Sequence, residues 1–137
     1  MTGSRPIAAV LLAAGLLVGC SNREPLKPPQ VGPTEVAIHP GADGVQRVTV
    51  DAGDDNRFSP AIIDATVGPI RLTLHHTGTG APHTLYGATV PGLRVPLVRA
   101  GETSSIQFTA SHPGRYGFVC TIHEAQGQTG TLVVTPR

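Results

Sequence analysis

Tyr116-Gly117-Phe118-Val119-Cys120-Thr121-Ile122-His123-Glu124-Ala125-Gln126-Gly127-Gln128-Thr129-Gly130, followed by Thr131-Leu132-Val133-Val134, sets two short apolar runs around a polar loop. In the first run Tyr116, Phe118 and Cys120 fall on one side and Gly117 and Val119 on the other, the two-residue period of a strand with one buried face. Cys120 therefore continues the core face of its strand. Beyond it the loop offers an imidazole, His123, and a side-chain amide, Gln128, before the next strand starts. A thiol, an imidazole and an amide oxygen in one tight loop suit a single small metal ion.

Working outward, no segment of helical length keeps a 3.6-residue apolar period without a Gly or Pro break, whereas short β-type runs recur. Strands are expected near 34–38, 45–51, 61–67, 69–76, 84–90, 94–99, 104–109, 114–120 and 130–135. Turn signals separate them, among them Pro40-Gly41, Gly68-Pro69, Pro91-Gly92 and Pro113-Gly114. This pattern predicts an all-β Greek-key β-sandwich of about seven to nine strands. Alternation within Ile70 to His76 puts Ile70, Leu72, Leu74 and His76 on one face and Arg71, Thr73 and His75 on the other.

The N-terminus reads differently. Arg5 precedes an apolar or small run from Ile7 to Val18, too short to span a bilayer comfortably, which ends in small residues and Cys20. Leu17-Val18-Gly19-Cys20 resembles a bacterial lipobox, which implies a signal peptide over 1–19 and a lipid on Cys20. A plain signal peptide with an incidental cysteine is the alternative. Residues 20–33 are polar and Pro-rich, an extended tether, and a single domain is expected over 34–137. The localisation implied is extracytoplasmic, anchored to the cell membrane by the lipid.

Ten Lys and Arg stand against nine Asp and Glu. With no basic cluster, neither nucleic acid nor an anionic membrane surface is an expected partner. Two cysteines in an exported chain ordinarily suggest a disulfide. A lipid on Cys20 leaves Cys120 as the one free thiol, and metal ligation is one way to protect it. The single methionine is Met1 and is lost with the signal.

If Cys120, His123 and a second imidazole converge, a thiolate and two neutral imidazoles with one weak axial donor make a blue-copper arrangement. His83, in Gly80-Ala81-Pro82-His83-Thr84-Leu85, is the best placed second imidazole, in a turn-rich loop just before a strand. Three blocks then resemble the cupredoxins, in their plastocyanin-like branch: Gly80 to His83, Pro113 to His123, and Gly127 to Val134. Phe58-Ser59-Pro60 with Val67-Gly68 resembles the family's lead-in strand, so the likeness spans about residues 45–135.

The resemblance implies copper bound by His83, Cys120 and His123. The family's axial ligand is usually Met, five residues after the second His; that position is Gln128, a variation similar to that of stellacyanins. Gln126 or the Pro82 carbonyl remain alternative axial donors. The family often has Asn after the first His and Pro before the second, where this chain has Thr84 and Ile122. Thr84 is expected to hydrogen-bond across the loop.

The function implied is that of a one-electron carrier, not an enzyme, acting as a monomer with a redox protein partner in the cell envelope. Pro82, Pro91, Leu93, Ile122 and Ala125 are the expected docking patch around His123. A copper carrier without redox turnover would use the same donors, and Cys, His and Glu also suit zinc. A cysteine hydrolase is disfavoured, since a nucleophilic thiol wants a helix N-terminus or similar activation and Cys120 ends an apolar strand. His76 is expected to cap its strand or hydrogen-bond, His75 and Glu124 to face solvent, and His39 and His112, each before Pro, to sit in turns. The acidic run Asp51 to Asn56 lacks calcium-loop spacing and reads as a solvated turn.

Overall fold

The alternation seen in the sequence becomes the two faces of a sandwich. The computed structural model describes residues 34–137, so the expected signal segment, the lipidated Cys20 and the tether lie outside the described residues. In chain order the strands are β1 (Glu35–Ala37), β2 (Gln46–Ala52), β3 (Phe58–Ser59), β4 (Ile62–Thr66), β5 (Gly68–His76), β6 (His83–Tyr86), β7 (Arg94–Val98), β8 (Thr103–Ala110), β9 (Gly114–Val119) and β10 (Thr129–Thr135). They form a six-stranded sheet in the order β1-β4-β10-β9-β6-β7 and a four-stranded sheet in the order β3-β2-β5-β8. One 3-10 turn, Glu124–Gln126, interrupts the all-β pattern among the described residues.

Ile70, Leu72, Leu74 and His76 of β5 are buried, as their spacing predicted, while Arg71 is exposed. They meet Phe118, Leu132, Val134 and Leu85 from the other sheet in one continuous core. The close approach of β9 and β10 has a steric requirement. Phe118 pairs with Gly130, and any Cβ at Gly130 would overlap the Phe118 ring and approach the Ala61 carbonyl oxygen to 2.7 Å.

One expected strand is cut short for a local reason, and a short strand forms at Phe58–Ser59. The strand expected over 84–90 ends at Tyr86, because Gly87 donates its N–H to the Leu93 carbonyl (2.9 Å) and the chain turns there. Phe58–Ser59 adds a short strand that pairs with Asp51 and Ala52. At the turn between β8 and β9, the Tyr116 hydroxyl donates to the His112 carbonyl (2.9 Å), a tyrosine corner of the kind found in Greek-key sandwiches.

One buried polar side chain ties the sheets together away from the loop. Gln46, fully buried at the start of β2, donates its amide to the Thr66 carbonyl and accepts the Thr66 N–H, each at 2.8 Å. It acts as a side-chain substitute for a neighbouring strand at the end of β4. Replacing it leaves two backbone groups unpaired, which costs about 1–3 kcal/mol apiece when they are buried. Gln46→Leu is therefore expected to lower the urea unfolding midpoint by an amount equivalent to on the order of 2 kcal/mol at unchanged slope. A midpoint equal to that of the wild type would show that the link is dispensable.

Candidate metal centre

Three adjacent strands gather the candidate donors. Val119 of β9 pairs with Thr129 of β10 on one side and with Tyr86 of β6 on the other. Cys120 follows the end of β9, Gln128 precedes β10, and His83 is the first residue of β6. The Cys120 N–H donates to the Gln128 carbonyl (3.0 Å), which carries the β9–β10 ladder one step into the loop.

The loop then folds back on itself. His123 donates its N–H to the Cys120 carbonyl (3.2 Å), and the His123 carbonyl accepts from the N–H groups of Gln126 (3.0 Å) and Gln128 (3.2 Å). Gly127 closes the turn at φ 89°, a left-handed conformation that glycine enters without a Cβ penalty.

His83, Cys120 and His123 are all buried, and one donor atom of each lies within 4.8 Å of the others. Cys120 Sγ is 3.6 Å from His123 Nδ1. His83 Nδ1 is 2.8 Å from Gln128 Oε1, so the amide oxygen belongs to the same cluster. The Gln128 amide nitrogen donates to the Arg57 carbonyl (3.4 Å), which turns the oxygen toward the imidazole. Gln126, by contrast, is exposed.

The environment favours the neutral form of one donor. Burial holds the His83 imidazole below the ordinary histidine range; the bond to Gln128 opposes this shift, and the His76 and His123 rings reinforce it. A neutral imidazole keeps a lone pair for a metal. The Cys120 sulfur accepts the Thr84 backbone N–H (3.4 Å), and the Thr84 hydroxyl lies 3.8 Å away. That hydroxyl also accepts the Thr121 N–H and approaches the Thr121 hydroxyl, both at 2.9 Å. Thr84 thus hydrogen-bonds, as expected, between the two segments that carry the candidate donors. A buried thiol and two buried imidazoles clustered in this way, with an amide oxygen against one of the rings, fit a single soft or borderline metal ion.

The expected docking patch needs correction. Leu93 is a core residue, 1 % exposed, and Pro91 lies beside His112 and Tyr116 at the β8–β9 turn, the far end of β9 from Cys120. Ile122, 42 % exposed, and Ala125, also exposed, do flank the His123 loop. His75 pairs with Asp51 on the outer face of β5, and Glu124 is exposed.

With this geometry in view, the family model described as a cupredoxin-like domain matches residues 9–134. The chain belongs to the cupredoxin-like family. No curated protein matches the sequence. Among solved structures, this cupredoxin is similar to a dithionite-reduced auracyanin from Roseiflexus castenholzii, at 21% identity and a TM-score of 0.58, over 66% of this chain and 97% of that one. It is similar to the metal binding domain of the Cu(I) exporting P-type ATPase of Streptococcus pneumoniae D39, at 22% identity and a TM-score of 0.62, over 77% and 99% of the two chains. Auracyanin A from Chloroflexus aurantiacus shares 18% identity at a TM-score of 0.58, over 67% of this chain and 100% of that one. At these identities the likeness is one of fold.

One contributor to the site escaped the sequence. Asp54, in the run expected to be a solvated turn, is exposed, yet its carboxylate accepts the N–H groups of Thr79 (3.0 Å) and Gly80 (2.8 Å) in the loop leading to His83. A Cβ on Gly78 or Gly80 would crowd this carboxylate. The glycines around Thr79 were the available signal, since bare N–H groups in a tight loop need an acceptor.

The Thr79 and Gly80 bonds hold the Asp54 carboxyl below its ordinary range. Its contribution is therefore complete above the unfolded value, about pH 3.9, and is lost as pH falls through the lower folded value. The protection of the Thr79 and Gly80 amides against exchange, relative to their intrinsic rates at each pH, should fall on acidification below about pH 4. In Asp54→Ala exchange at these two amides should already be fast at neutral pH and should lack that acid step; slow exchange in the variant would count against the clamp.

Proposed function

We propose that this protein is an extracytoplasmic one-electron carrier with one copper ion held by His83, Cys120 and His123, with Gln128 as the axial donor. The observation that carries the reading is the cluster of a buried thiol and two buried imidazoles, with the Gln128 amide oxygen 2.8 Å from His83 Nδ1. Copper, when bound, supplies the one-electron Cu(II)/Cu(I) couple. The neighbours that bear on this reading are an auracyanin described as a "blue" copper protein and a domain solved with Cu(I). A methionine-to-glutamine mutant of amicyanin was also solved with Cu(I); it is 24% identical with a TM-score of 0.51 over 65% of this chain and 82% of that one.

The chain's own residues keep the donors in place as charge changes. Cys120 and Gln128 are joined through the backbone, and the Thr84 N–H supports negative charge on sulfur. The Arg57 carbonyl orients the amide. His123, 8 % exposed, lies nearest to solvent among the donors, and Ile122 beside it offers an apolar contact for a redox partner in the cell envelope. The closed character of the site favours electron exchange over release of the ion, which sets this reading above that of a copper carrier. Zinc would accept the same donors, and the visible spectrum separates the two.

Export and anchoring are part of the same proposal and rest on the signal-like run and Cys20. Intact-mass analysis of the membrane-extracted protein should show a mature chain that starts at a lipid-modified Cys20. An unmodified N-terminus upstream of Cys20 would remove the anchor.

Purified protein titrated with Cu(II) should develop intense visible absorption and a matching electron paramagnetic resonance signal, both lost in Cys120→Ser; a colourless wild type overturns the copper reading. An amide oxygen is a harder donor than a thioether and favours Cu(II), so Gln128→Met is expected to raise the reduction potential. An unchanged or lower potential would remove Gln128 from the axial role.

A further inference from the structure

His76 closes β5 inside the sandwich, 1 % exposed, and both of its ring nitrogens are committed. The Gly78 N–H can only donate, so Nδ1, at 3.1 Å, accepts. The Ala81 carbonyl can only accept, so Nε2, at 2.9 Å, carries the proton. These two bonds fix a single neutral tautomer and leave no lone pair for a metal. They also grip both ends of the segment Gly78 to Ala81, which delivers Pro82 and His83 to the site.

The His76 ring also packs on His83, with centroids 4.6 Å apart and planes inclined at 52°. On its own account His83 is poorly anchored away from the cluster. Its Nε2 is buried without a hydrogen-bond partner, the one buried side-chain nitrogen or oxygen so placed among the described residues. A metal-binding histidine ordinarily donates its second N–H to a carboxylate, a carbonyl or water, and that bond sets the ring's orientation. Nε2 has no such bond, so beyond the Nδ1 contact with Gln128 the ring's orientation depends on packing, and His76 lies closer to His83 than does the His123 ring at 4.9 Å.

We infer that His76 is a positioning residue for the metal centre, a tautomer-locked imidazole that holds the Gly78–Ala81 loop with its two nitrogens and braces the His83 ring by packing against it. The inference rests on His83 as a ligand and adds a residue outside the ligand set. Its role differs from that of Asp54, which grips the same loop from the solvent side.

Three measurements test it. In metal-free wild type, nitrogen NMR of the histidines should show His76 as the neutral Nε2–H form; an Nδ1–H form overturns the inference whatever copper does. In His76→Phe, which keeps a ring but loses both loop bonds, Cu(II) binding should weaken by about 10–100-fold, with shifted visible and paramagnetic resonance bands. In His76→Gln, which keeps a donor within reach of Ala81, part of the affinity should return while the bands stay displaced, because the brace on His83 is gone. Folded variants with wild-type affinity and spectra overturn the inference and leave the copper reading intact. A colourless wild type overturns the copper reading itself, and His76 is then decided by its tautomer and by amide exchange at Gly78, slow in wild type and fast in His76→Phe if it holds the loop. Should His76→Phe not fold, His76→Gln and the tautomer still decide.

Discussion

A single backbone hydrogen bond, from the Cys120 N–H to the Gln128 carbonyl, is the constraint from which the site follows. It extends the β9–β10 ladder past its last strand pair and thereby fixes the span that the intervening residues must cover. Seven residues have to leave and return across one ladder rung, and they do so through a 3-10 turn closed by a left-handed glycine. Within that short path His123 has little freedom. Its N–H is bonded to Cys120 and its carbonyl to Gln128, so the imidazole is held near the sulfur by the same bonds that close the loop. Three donors therefore come from one hairpin, and only His83 must be brought from elsewhere.

That division explains how much could be read from the amino-acid order. Fold class and the hairpin donors are local properties. Alternation marked the core face of β5 and placed Cys120 beneath the surface, and the turn residues marked most strand ends. The spacing of Cys120, His123 and Gln128 lies within one loop, where sequence separation and spatial separation coincide. The support of His83 is different. Asp54 reaches Thr79 and Gly80 across about twenty-five positions, and the Arg57 carbonyl reaches Gln128 across 71. Such contacts depend on sheet order, and alternation cannot specify them. Leu93 failed as a surface residue for a related reason: an apolar residue after a turn has the same local signature whether it faces the partner sheet or solvent.

The buried polar groups are gathered at positions where the sheets alone do not satisfy the backbone. Gln46 closes the end of β4, His76 closes the end of β5, and His83, His123 and Gln128 form the cluster. Burying such groups without partners is expensive, so each is bonded, with His83 Nε2 as the exception. An unpaired buried nitrogen beside a cluster of donors is a local cost that the surrounding core must offset, and costs of this kind concentrate at functional sites. The same low-polarity surroundings keep His83 neutral and ready to donate a lone pair.

Rigidity in this site is therefore layered. The ladder and the 3-10 turn hold Cys120, His123 and Gln128 with backbone bonds. The His83 loop is held by side chains instead, with Asp54 outside and His76 inside. Side-chain bonds are lost one residue at a time, whereas the ladder is lost only when the sheet opens. The His83 side of the cluster is accordingly the side on which single substitutions can adjust ligand position while leaving the fold intact. The proposed electron carrier needs donors that move little between charge states, and the loop before β6 is where that requirement falls on individual residues rather than on the sheet.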